Sequence, residues 1–107
     1  METLFYVVER HVWYNDGRHE NDIALIDGVD GKLYASYEAA KQAIIKELVP
    51  HSENVKGPYH RTTEHVTFSY GGFGALCGTQ ELWRVTTTDK NDHDTEYFVK
   101  EAKVAPE

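Results

Sequence analysis

The chain has 107 residues and a formal charge of −7, from 18 acidic against 11 basic side chains. That length holds one hydrophobic core rather than two, and the 40% hydrophobic and 12% aromatic content excludes wholesale disorder. The acidity argues against wrapping nucleic-acid phosphates, the lone cysteine (Cys77) excludes an intrachain disulfide framework, and no run approaches the roughly 20 apolar residues that span a bilayer.

The start, Met1-Glu2-Thr3-Leu4, has neither the basic nor the apolar region of a signal peptide, so the expectation is a cytoplasmic domain without membrane contact. Leu4 to Tyr14 is β-branched and aromatic with rough alternation, placing Tyr6, Val8, Val12 and Tyr14 on one side of a first strand. Asn15-Asp16-Gly17 is a turn, and His19 to Asp27 reads as the partner strand of a hairpin. After a second turn at Gly28 to Gly31, Ser36 is placed to cap a helix, with Glu38 beside the positive end of its dipole. Tyr37, Ala40, Ile44 and Leu48 form the apolar stripe, and Pro50 is expected to end the helix at Val49.

Pro50 to Arg61 is a long loop. Thr62 to Tyr70 alternates again as a strand, with Val66, Phe68 and Tyr70 on one side. The glycine-rich stretch Gly71 to Gly78 connects it to a strand at Gln80 to Thr88, and the polar turn Asp89 to Asp94 leads into a last one at Thr95 to Val104. The order is β-β-α-β-β-β, which predicts one α+β domain over 1–107: an antiparallel sheet with one helix packed on one face. The other face is expected to be partly wet or covered by a second copy, so a homodimer is an open alternative.

The chemistry-bearing residues make no recognised catalytic pattern. Gly72, Gly74 and Gly78 lie between strands, with no following helix N-terminus to receive a pyrophosphate and no G-K-[ST]. The six histidines show no H-x-x-x-H spacing. Asp89 to Asp94 resembles the first half of a calcium loop, but His93 stands at the fifth position, glycine is missing at the sixth and Lys100 occupies the twelfth. Nothing places a histidine beside Cys77. No catalytic residue, metal or cofactor is therefore expected. A ligand-binding domain using the Gly71 to Gly78 loop with His60, His65 or Cys77 stays open as an alternative. Phe73 and Leu76 in that loop, and Trp13 and Trp83 on the less apolar sides of their strands, are candidate apolar anchors for a partner. A register shifted by one residue would instead bury both tryptophans.

The charge is local. Asp16, Glu20, Asp22, Asp27 and Asp30 oppose only Arg18, and Asp89, Asp92, Asp94 and Glu96 oppose only Lys90; the rest of the chain is balanced. If the strands run up and down in order, both acidic turns lie at one end. They would form an acidic pole of Asp16, Glu20, Asp22, Asp89, Asp92, Asp94 and Glu96 for a protein partner with a basic surface. Neutralising Asp89, Asp92 and Asp94 is then expected to leave folding nearly unchanged.

The strand FYVVERHVWY, the stretch LYASYEAAKQAIIKEL and the late strands ELWRVTT and EYFVKEAKV resemble, in layout, small accessory proteins of phages and mobile elements, in which a similar lead-in introduces the single helix. The resemblance covers most of the chain without a catalytic motif, so no functional residue is carried over. It implies a phage-type protein; small acidic proteins in that setting often inhibit host nucleases or other DNA-binding machinery, anti-CRISPR proteins included. The expectation is thus a non-catalytic binding protein that presents an acidic surface to a basic or nucleic-acid-binding site.

Overall fold

A computed structural model describes the backbone of residues 2–14, 20–71, 78–91 and 93–104, and the side chains of 3–13, 24–67, 82–91 and 93–104. The strands are β1 (Glu2–Tyr14), β2 (Glu20–Asp27), β3 (Arg61–Gly71), β4 (Gly78–Thr88) and β5 (His93–Val104). They form one antiparallel sheet in the order β2-β1-β5-β4-β3, so the last strand fills the middle. One continuous helix, α1 (residues 37–51), lies on one face, giving the expected α+β architecture.

Helix α1 starts at Tyr37 because Ser36 is held extended and its Oγ accepts from the Ala39 N–H at 3.1 Å. It is α-helical over Tyr37–Ala43, widens to a π-helical turn over Ile44–Leu48 and closes as an α-helical turn over Val49–His51. Pro50 therefore does not stop the helix at Val49. The widened turn relieves the clash that a proline ring makes with a carbonyl one α-turn back, and the His51 ring donates from Nδ1 to the Glu47 carbonyl at 2.6 Å.

The long connection after α1 is anchored. It turns through a 3₁₀ helix at Glu53–Lys56, and Ser52 and Asn54 are buried. Asn54 Nδ2 donates to the Thr87 carbonyl at 2.8 Å and the His93 carbonyl at 3.1 Å, while Ser52 Oγ and Thr87 Oγ1 share a hydrogen bond at 3.1 Å. Upstream, Gly28 and Gly31 both take positive φ in the turn that leads from β2 toward α1.

The core joins Val7 of β1, Ala40 and Ile44 of α1, Trp83 and Val85 of β4, and Tyr97 of β5. One expectation is corrected by it, the exposure of Trp83. The helix packs on the Val7 side of β1, a side the sequence left undecided, and Val8 and Val12 are fully buried in the opposite, open face. As an interior strand, β1 has buried residues on both sides, Val7 on one and Val8 and Val12 on the other. Trp83 is core rather than an exposed anchor: it is only 4% exposed, its indole N–H donates to Glu64, and Lys41 lies 5.0 Å over its ring.

The pairing lengths are unequal. β1 and β5 pair from Glu2↔Val104 to Trp13↔His93, and β3 and β4 from Arg61↔Thr88 to Gly71↔Gly78. β4 and β5 pair only between Arg84↔Phe98 and Thr88↔Asp94. Beyond Arg84 and Phe98 the sheet therefore forks into two ribbons.

Candidate functional site

Strand alternation decides what the open face carries. Arg10 follows Val8 on β1 with the same facing; its register partner is Glu96 on β5, and Glu96 in turn faces Thr86 on β4. Arg10 Nη2 lies 2.7 Å from Glu96 Oε2, and Arg84 Nη1 lies 3.8 Å from Oε1, so the buried Glu96 side chain is flanked by two guanidinium groups. One step along, the Thr88 hydroxyl donates to Asp94 at 2.6 Å. Charge-assisted contacts of this kind offset the cost of enclosing a carboxylate.

Two cavities open on this face. One, of about 410 Å³, sits at the fork, where Leu82 and Trp83 separate from Phe98 and Val99 over Tyr37. The other, of about 340 Å³, runs over Arg61, Thr63, Thr86 and Thr88. They share Arg10, His65, Arg84 and Glu96 and are two halves of one groove, apolar at the fork and polar toward Thr88. In the polar half Arg10, Arg61 and Arg84 outnumber Asp94 and Glu96, making it locally positive in a chain of charge −7.

Two buried polar atoms in this groove have no hydrogen-bond partner: Arg10 Nε and Thr86 Oγ1. Thr86 is only 5% exposed. Unmade hydrogen bonds at buried groups cost about 1–3 kcal/mol each, so such atoms call for an explanation.

A second polar cluster lies on the helix side, at the end where β1 finishes and β5 begins. Trp13, His11 and His93 stack, with ring centroids 4.1 Å apart for Trp13 and His93 and 5.2 Å for the two histidines. Glu9 Oε2 contacts His11 Nε2 at 3.1 Å, and His11 Nδ1 meets His93 Nε2 at 3.1 Å. Burial, and then the neighbouring His11, lower the His93 pKa, against the opposing pull of Asp89 and Asp94. Among the described residues, no three His, Cys, Asp or Glu side chains gather to hold a metal ion.

The residues of the expected acidic pole fall into different settings. The register places the end of β1 beside the start of β5, so the strand ends bearing the two acidic turns are neighbours. Asp89 Oδ1 accepts from the N–H groups of Asn91 at 2.8 Å and His93 at 3.0 Å. Asp94 and Glu96 are 9% and 5% exposed and engaged on the open face, so neither stands as a free surface charge. Asp16, Asp92, Phe73, Leu76 and Cys77 lie outside the described residues, as do the side chains of Glu20 and Asp22. Trp13 is 37% exposed. His65 lines the groove, whereas the exposed His60 donates to the Gly57 carbonyl at 2.8 Å and is not part of it.

No local motif in the sequence singles out the groove arginines. Their signal was a charge, Arg10, set between Val8 and Val12 on an apolar strand face, and a second, Glu96, inside a strand of buried residues. No protein-family model, curated protein or solved structure matches the chain.

Proposed function

We propose that the chain is a binding protein whose working surface is the groove on the open face of its sheet. The observation that carries this reading is the pair Arg10 Nε and Thr86 Oγ1, the buried side-chain atoms without a hydrogen-bond partner among the described residues. A ligand supplying an acceptor oxygen to each would complete both. Nitrogen-edited NMR against a fragment library tests it: binders should shift the Thr86 and Phe98 amides and the Arg10 Nε–H signal together. A library of diverse small molecules that leaves those signals still would remove the reading. Light scattering that finds a dimer, dissolved by Arg84→Glu, would give the groove to a second copy instead.

A second reading uses the acidic end, favoured by the pairing of Trp13 with His93 that brings the two strand ends together. There Asp16, Glu20, Asp22 and Asp92 would meet a protein with a basic surface, carboxylates standing in for phosphates. A phage-type inhibitor of nucleic-acid-binding machinery, such as an anti-CRISPR protein in the host cytoplasm, fits that chemistry. Association would be fast and salt-sensitive. A basic partner whose affinity stays level from low to moderate salt would rule it out.

A further inference from the structure

Resting on the groove reading, we infer the class of ligand: an amphipathic monocarboxylate, its head beside Arg10 and Thr86 and its apolar body in the fork between Leu82 and Phe98. The head is specified first by the unused groups. The Arg10 Nε–H can only donate, and the Thr86 hydroxyl, on the same face at the far side of Glu96, has neither donor nor acceptor. A carboxylate, with one oxygen for each, would satisfy both.

Charge narrows the choice further. Three arginines against Asp94 and Glu96 leave the polar half one positive charge in excess. A monoanion neutralises that excess, whereas a dianionic phosphate would crowd extra negative charge against two enclosed carboxylates. The planar guanidinium fork also matches a carboxylate in shape. Glu96 occupies Arg10 Nη2 and stands 3.8 Å from Arg84 Nη1, leaving Arg10 Nε and the exposed Arg61 for an incoming acid.

The body is specified by the fork. Where β4 leaves β5, Leu82 is 48% exposed and lines the cavity together with the half-buried Phe98, Trp83 and Val99. A cavity of about 410 Å³ lies within the range of small-molecule sites, roughly 300–1,000 Å³, and has room for a phenyl ring on a short chain. Stacking and apolar burial there would hold the body, while the polar half fixes orientation.

Three probes with one body and three heads test this: phenylpropionate, phenylpropanol and phenylpropylamine, each titrated to millimolar concentration and read by NMR. Phenylpropionate should shift the Arg10 Nε–H and the Thr86 and Phe98 amides. The alcohol should bind at least about tenfold more weakly, and the amine should leave the groove signals unchanged. Thr86→Val, which keeps the shape and removes the hydroxyl, and Arg61→Gln on the edge strand should each weaken phenylpropionate by about threefold to tenfold. Equal binding of all three heads would overturn the carboxylate assignment while leaving the groove as a binding surface. Silence of the groove to phenylpropionate would overturn it as well; the groove reading itself falls only if the diverse library is also silent.

Discussion

Trp13 and His93 stand directly opposite each other across the β1–β5 ladder and stack at 4.1 Å between ring centroids, only 9° from parallel. Folding thereby encloses an imidazole that also meets His11 at 3.1 Å. Protonating both histidines would set two N–H groups against each other. Because the folded pKa of His93 lies below its ordinary value of 6.5, the unfolded chain takes up its proton first as pH falls. Its contribution to stability is present above about pH 6.5 and is lost progressively below it. Denaturant unfolding between pH 8 and pH 5 should show this loss, and His93→Phe should flatten the slope. A slope unchanged by the substitution would assign the acid sensitivity elsewhere.

Thr86→Val should stabilise the unliganded protein, because a buried hydroxyl without a partner is exchanged for a methyl group of similar shape. The expected gain is about 1 kcal/mol, seen as a Tm rise of about 4 °C. Calorimetry decides it. A loss of stability would mean that the hydroxyl already has a partner in solution.

The two tryptophans should respond differently. Trp83→Ala opens a void beside Val85 and Tyr97 and abolishes the indole bond to Glu64, for a cost of about 3–5 kcal/mol. Trp13→Ala, at a position 37% exposed, should cost about 1 kcal/mol or less. Urea denaturation of both variants measures the contrast.

Neutralising the acidic turn should not be free, contrary to the expectation drawn from charge alone. Asp94→Asn weakens the buried bond from Thr88, and Asp89→Ala strands the N–H groups of Asn91 and His93. Each should cost about 1–2 kcal/mol, measurable by urea denaturation. Stability equal to that of the parent would return both residues to the surface pole.

Local signals in the sequence were read correctly where the cause was local. Ser36 caps α1 through an atom three residues away, and the strand alternation placed each β element to within a few residues. What was hidden depended on neighbours distant in the chain. The inward facing of Trp83 is set by β5 and α1, the anchoring role of Asn54 by strands more than 30 residues away, and the enclosure of Glu96 by Arg10 from the opposite end of the chain. By local charge alone Asp94 and Glu96 look like surface carboxylates, because their counter-groups, Thr88 and Arg10, become adjacent only through strand pairing.

The central position of β5 has a consequence for how the chain is made. Until His93–Val104 has been synthesised, β1–β2 and β3–β4 are two separate hairpins, each with an unpaired edge that the final strand must join. Such long-range closure is slow and leaves sticky edges exposed in the meantime. A nascent chain arrested before β5 should therefore be open to proteases and prone to aggregate. Folding would become cooperative only once the final strand clears the ribosome.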